Sequence, residues 1–281
     1  MKHRTAWPMV LNMRVALGLS AGLLLGGAPA APPVVEQDCR AQFERHGVQG
    51  SFLLYDAAAG RYMAYNAARC RQGFLPASTF KIPNTLIGLE TGALRDTAEL
   101  CRWDGQRRAF AQWNEDMPFA RALRVSAVPC YQQLARRVGV PAYRQWLRRL
   151  GYGRMQVTPA TLDTFWLDGA SRITQFEQVD FLRRLYAEAL PVASRHQRAV
   201  KQLLVLKKTP QYTLCGKTGW RFRSATNPDN GWLVGWLTRA DGRTAFFALN
   251  VEPRPGPPND DQFLASRRAV AEAVLQQLGW L

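Results

Sequence analysis

Leu75-Pro-Ala-Ser-Thr-Phe-Lys-Ile-Pro-Asn84 is the most informative run of this chain. Ser78 and Lys81 stand at i and i+3 at the start of a helix predicted from Ser78 to about Thr91. Its apolar positions are Ile82, Leu86, Ile87 and Leu89, and Gly92 stops it. At that spacing the two side chains share a face. Pro83 falls at the sixth residue, past the turn where a missing N–H is free, so a local distortion is expected there.

A serine hydroxyl is a poor nucleophile until a base takes its proton. Lysine can be that base only as a neutral amine, which demands an apolar, desolvating pocket. The N–H groups at a helix start would favour a developing oxyanion. Alone the S-x-x-K pattern is weak, expected about once by chance in such a composition. Two further motifs follow in order: Ser126-Ala127-Val128 and Lys217-Thr218-Gly219. Ser126 offers a hydroxyl able to relay a proton to a leaving nitrogen. Lys217 and Thr218, read as part of an edge strand, offer a cation and a hydroxyl to an anionic substrate group. Gly219 would let a ligand backbone approach closely. Singly, these motifs read as a helix start and a strand end. Together they specify an enzyme that opens a strained amide through an acyl-serine.

Working outward, Gly50–Asp56 and Arg61–Asn66, joined by Ala-Ala-Ala-Gly60, read as a β-hairpin. Helical signals cover Pro129–Val138 and Pro141–Leu150, and Thr174-Gln-Phe-Glu177 is a capping box opening a further helix. Strand patterns return at 212–219, 231–238 and 244–251. An amphipathic helix closes the chain from about Asp261 to Leu278. Strands at both ends with helices between them predict an α+β fold: a mostly antiparallel sheet flanked by helices, plus a helical lobe, with the cleft between the two.

The chain has 281 residues, 47% hydrophobic and 21% charged, which fits a globular protein and not a disordered one. Lys2, Arg4 and Arg14, an apolar run Val15–Gly27 and Ala28-Pro29-Ala30 describe a secretory signal peptide, residues 1–30, cleaved near Ala30. The run is too short for a stable membrane anchor. Met13 serves equally well as a start. Residues 31–281 then form a single catalytic domain, expected in the periplasm with no stable membrane insertion. The net charge of +16 becomes +13 once residues 1–30 are removed. So basic a chain could bind polyanions. The arginines are scattered, with Arg144, Arg148, Arg149 and Arg154 the densest set, and no nucleic-acid motif accompanies them, so no nucleic-acid partner is expected. Of Cys39, Cys70, Cys101, Cys130 and Cys215, the hairpin-flanking Cys39 and Cys70 are the favoured disulfide pair; Cys215 reads as a small buried hydrophobe.

From about Gly50 to Arg268 the sequence resembles the penicillin-recognising serine enzymes, and most closely the class D (oxacillin-hydrolysing) β-lactamases. The likeness is carried by the opening run and by Trp103-Asp-Gly105, Gln112-Trp113, Val125–Pro129, Phe165-Trp-Leu167 and Val234-Gly-Trp236. It implies that Ser78 is acylated by a β-lactam. It also implies that Lys81 carries CO2 as an N6-carbamate, the general base, with no organic or metal cofactor. Val128 would keep that pocket dry and the Trp166 indole N–H would hold the carbamate. Ser126 and Lys217 would assist proton transfer. Arg267 and Thr218 would bind the drug's carboxylate, and the N–H groups of Ser78 and Trp220 would form the oxyanion hole. The expected partners are β-lactams, and the assembly a monomer or homodimer. One departure stands out: Tyr152-Gly153-Arg154 has arginine where the family has asparagine. The alternative reading is a non-hydrolysing penicillin-binding or β-lactam sensor domain. Transpeptidases, however, usually place asparagine where this chain has Val128.

Overall fold

The computed structural model describes residues 1, 3, 33–223, 229–257 and 259–281, so the expected signal peptide lies outside the described residues. Chain contacts gather Pro32–Leu281 into one compact unit. It begins with β1 (Val34–Glu36), α1 (Arg40–Arg45), β2 (Val48–Asp56), β3 (Arg61–Tyr65) and α2 (Ala67–Cys70). A 3-10 turn (Ala77–Phe80) leads into α3 (Lys81–Glu90). Then come β4 (Leu100–Cys101), β5 (Met117–Pro118), α4 (Phe119–Arg124), α5 (Val128–Val138), α6 (Val140–Leu150), α7 (Gln175–Tyr186) and α8 (Ser194–Leu203). The unit closes with β6 (Val205–Lys208), β7 (Tyr212–Arg221), β8 (Asn230–Arg239), β9 (Thr244–Pro253) and α9 (Asp260–Gln277).

Seven strands form one sheet in the order β1-β3-β2-β9-β8-β7-β6. Neighbours are antiparallel except β1 and β3. Alternation along each strand sends side chains to two separate cores. Phe52, Leu54, Leu233 and Leu249 pack with Phe43 of α1 and with Phe263, Val270 and Val274 of α9. Leu53, Val234, Trp236 and Ala248 face the larger core built with α3–α8. Both faces are covered, which is why β8 reads as a nearly unbroken apolar run. The predicted capping box at Thr174 and Glu177 is formed and opens α7. With the hairpin of β2 and β3, this is the predicted α+β arrangement.

Three expectations need correction. The residues from Ala77 to Phe80 are 3-10, so α3 proper begins at Lys81 and Pro83 is its third residue. There the missing N–H is one that no helix would have paired, so the ring is accommodated. Strand β7 is not the sheet edge, since β6 pairs with it from Thr213 to Cys215. The 217–219 stretch nevertheless lies beyond that pairing. Finally, Cys39 and Cys70 are unpaired, and the disulfide joins Cys101 to Cys130 with Cα atoms 5.6 Å apart. Cys39 belongs to the core beneath α1 and α9, Cys70 to the opposite core, and the sheet separates them. Burial pushes their thiols up to about 11 and about 12. Cys215 is a free, buried thiol, as expected.

Candidate active site

The 3-10 turn that carries Ser78 is held on several sides. Ala77 N–H donates to Trp166 O (2.9 Å), and the Trp232 indole donates to Leu75 O (2.9 Å). The Thr79 hydroxyl donates to Pro76 O and accepts from Gln178 Nε2. Ala77 takes φ +48°, a left-handed backbone that a non-glycine residue adopts at a cost of about 1–3 kcal/mol. Gly219 of β7 is what lets this turn sit down. A Cβ there would meet Pro76 O at 3.1 Å and the Thr79 methyl carbon at 3.2 Å. The close approach that the missing Cβ permits here is that of the chain's own 3-10 turn.

Within this frame Lys81 Nζ lies 2.9 Å from Ser78 Oγ. Lys81 is wholly buried, and burial, with the Lys217 charge second, holds its amine well below the usual lysine range. Trp166 is also wholly buried, stacked on Phe80 with centroids 5.4 Å apart. Its Nε1 has no hydrogen-bond partner, an orphan donor beside the Ser78–Lys81 turn. An unsatisfied buried N–H costs about 1–3 kcal/mol, so the site suits an added acceptor.

From the other side, Lys217 Nζ donates to Ser126 Oγ and to Thr218 O (3.0 Å). Burial, and then the charge of Arg267, lowers Lys217 to about 7. Ser126 takes φ +57° in the turn before α5, which aims its hydroxyl at β7. Arg267 of α9 donates from Nη1 to Gly219 O (2.8 Å) and from Nε to Leu264 O (3.0 Å). Burial lowers its guanidinium to about 10.

A cavity of about 300 Å³ brings together Ser78, Ser126, Val128, Thr218, Trp220 and Arg267. Lys81, Lys217, Gly219 and Trp166 are not on its wall but stand behind it. Phe110, Arg124 and Leu264, to which sequence reasoning gave no role, also line it, as do Gln112, Trp113 and Val125. Leu264 could have been found, because it precedes Arg267 by one helical turn on the same face. Asp229 was missed as well. Buried, it accepts from the Trp220 indole (2.7 Å) and the Arg223 backbone N–H (3.0 Å) and pairs with the Arg223 guanidinium. Arg154 lies elsewhere, exposed and bridged to Arg172 by backbone bonds.

The penicillin binding protein transpeptidase domain matches residues 50–276. Beta-lactamase OXA-48 of Klebsiella pneumoniae is 38% identical over 94% of this chain and 98% of its own length. The chain belongs to the class D β-lactamases. Beta-lactamase OXA-20 of Pseudomonas aeruginosa is 39% identical over 85% of this chain and 86% of its own. Among solved structures, the class D β-lactamase YbXI from Nostoc is similar at TM-score 0.79 and 40% identity, covering 85% of this chain and 98% of that one. The class D β-lactamase of Sebaldella termitidis superposes at 0.82 with 30% identity, covering 90% and 100%. In this class D β-lactamase no described helix is long and apolar enough to cross a membrane, and no three described His, Cys, Asp or Glu residues cluster as a metal site would require.

Proposed function

We propose that this class D enzyme hydrolyses β-lactams through an acyl-Ser78 intermediate. Lys81 is the modified residue that serves as base. The observation that carries this reading is the pairing of Ser78 Oγ with a fully buried Lys81 amine, next to the orphan indole N–H of Trp166. A neutral amine in a dry pocket adds CO2, and the resulting carbamate supplies an anionic base with an oxygen acceptor for Trp166.

The chain's own groups do the rest. Ser78 Oγ gives up its proton towards Lys81 and forms the ester bond to the lactam carbonyl carbon, while the C–N bond breaks. The N–H groups of Ser78 and Trp220 receive the oxyanion. Ser126, bonded to Lys217, passes a proton to the departing nitrogen. Thr218 and Arg267 hold the substrate carboxylate at the cavity mouth; two backbone carbonyls fix the guanidinium's pose. Water, giving its proton to the same Lys81 base, then attacks the acyl carbon, the ester bond to Ser78 Oγ breaks and the proton returns to Ser78, while Val128 walls the Lys81 pocket against bulk solvent.

Residues 1–30 act as a signal peptide in this proposal, delivering the domain to the periplasm. Basic, apolar and A-x-A segments in that order support it. Turnover of oxacillin at several hundredfold molar excess tests the function. Sustained hydrolysis is expected, whereas one equivalent of acylation that then stops would indicate a penicillin-binding or sensor protein.

A further inference from the structure

Outside the catalytic cavity, a concavity of about 500 Å³ is walled by Arg144, Leu147 and Arg148 of α6 and by Arg154, Met155 and Val157 of the segment after it. Three guanidiniums and no carboxylate line it. Its shape is set by the backbone. Gly151 and Gly153 take φ +59° and +56°, folding the chain back against α6. Arg154 and Arg172 exchange two backbone hydrogen bonds of 2.8 and 2.9 Å, fixing where the Arg154 side chain departs. Arg144 Nε donates to Val157 O at 2.9 Å, tying one wall to the other.

Of the neighbouring arginines, Arg136 pairs with Asp163, Arg137 with Glu99 and Arg184 with Asp180, while Arg149 lies over the Trp146 ring and Arg172 donates to the Gly169 and Ser171 carbonyls, away from the concavity's wall. Among the described residues, Arg144, Arg148 and Arg154 form no ion pair. The helix dipole favours cations in the last turn of α6, which accounts for Arg148. It does not account for Arg154, which lies outside any helix. Like charges converging on a concave surface with apolar walls concentrate a positive field, and an anion relieves their repulsion. A carboxylate is planar and takes a bidentate guanidinium fork along one edge. A tetrahedral phosphate-type oxyanion, mono- or dianionic, can take forks from several directions.

We propose that this concavity is a binding site for a phosphate-type oxyanion, held by Arg144, Arg148 and Arg154. The phosphate could be that of a free small molecule or of a lipid headgroup.

The test titrates inorganic phosphate into the purified protein by calorimetry, at an ionic strength fixed with chloride. It is repeated with Arg148→Gln/Arg154→Gln and with the charge-matched control Arg45→Gln/Arg61→Gln. Saturable one-site binding is expected, weakened by about tenfold or more in the first variant and unchanged in the control. In a second arm, vesicles of phosphatidylcholine with and without phosphatidylglycerol are sedimented with each protein. Retention by phosphatidylglycerol that Arg148→Gln/Arg154→Gln loses assigns a lipid phosphate; phosphate binding without such retention assigns a soluble one. Absence of binding in both arms, or equal loss in the two variants, overturns the proposal. Oxacillin turnover by Arg148→Gln/Arg154→Gln should stay within about twofold of the parent, since surface changes away from such features have small effects.

Discussion

Lys81 Nζ reaches Ser78 Oγ across 2.9 Å while the whole lysine side chain is shut away from water. An ammonium there would be stripped of water and, while Lys217 is protonated, opposed by its charge, so the neutral amine is favoured. That one pairing links the fold to the chemistry. The 3-10 turn brings the two side chains within hydrogen-bond reach, and burial favours the neutral amine that the proposed base chemistry needs.

Trp166→Phe removes the orphan N–H and keeps the ring stacked on Phe80. Loss of a group supporting the base should slow deacylation by about 10²-fold while acylation persists. Mass spectrometry should then show acyl-Ser78 accumulating, and added bicarbonate should restore part of the rate. Normal turnover by the variant without bicarbonate would contradict the assigned role of Trp166.

Lys217 gives a pH signature. Its folded value is about 7, against 10.5 for an ordinary lysine. Between those values the unfolded chain holds a proton that the folded chain has released, so stability rises with pH across that window. The limiting slope is about 1.4 kcal/mol per pH unit for one proton. Lys217→Gln should lose its share of this slope when Tm is followed from pH 7 to 9. A parent and variant with superimposable profiles would show that Lys217 is charged throughout.

Asp229 connects the Trp220 indole, the Arg223 backbone and the Arg223 guanidinium, whose second partner is Asp260. Asp229→Asn leaves Arg223 paired but weakens the hold on Trp220. A stability loss of about 1–3 kcal/mol is expected. kcat should fall more than KM changes if, as proposed, the Trp220 backbone N–H acts on the oxyanion and not on the bound ground state. A change confined to KM would place Asp229 in substrate binding instead.

The Cys101–Cys130 bridge closes a loop with a sequence separation of 29 and fastens β4 to α5, two residues beyond Val128. Loop-closure entropy assigns it about 3.5 kcal/mol. Cys101→Ala/Cys130→Ala should unfold at correspondingly lower denaturant concentration. Cys39→Ala should leave the parent's sensitivity to reductant unchanged.

Much of this was legible before any coordinates. The Ser78, Ser126 and Lys217 motifs, the hairpin of β2 and β3, the capping box at Thr174 and the strands β7 to β9 rest on local chemistry, which short patterns record. The failures share a different cause. The Cys101–Cys130 pairing and the inclusion of Phe110 and Leu264 depend on which face of the sheet a residue meets, and one-dimensional spacing does not carry that. Strand β6 escaped notice because its four residues are all exposed and two of them are lysines. Asp229 is silent in sequence because its importance lies wholly in its partners.

The most direct test follows hydrolysis of excess oxacillin by the purified protein, in buffer stripped of CO2 and again with bicarbonate. Multiple turnovers that slow without CO2 and recover when bicarbonate is added are the predicted result. Turnover indifferent to bicarbonate, or acylation that ends after one equivalent, would contradict a hydrolase whose base is a carboxylated Lys81.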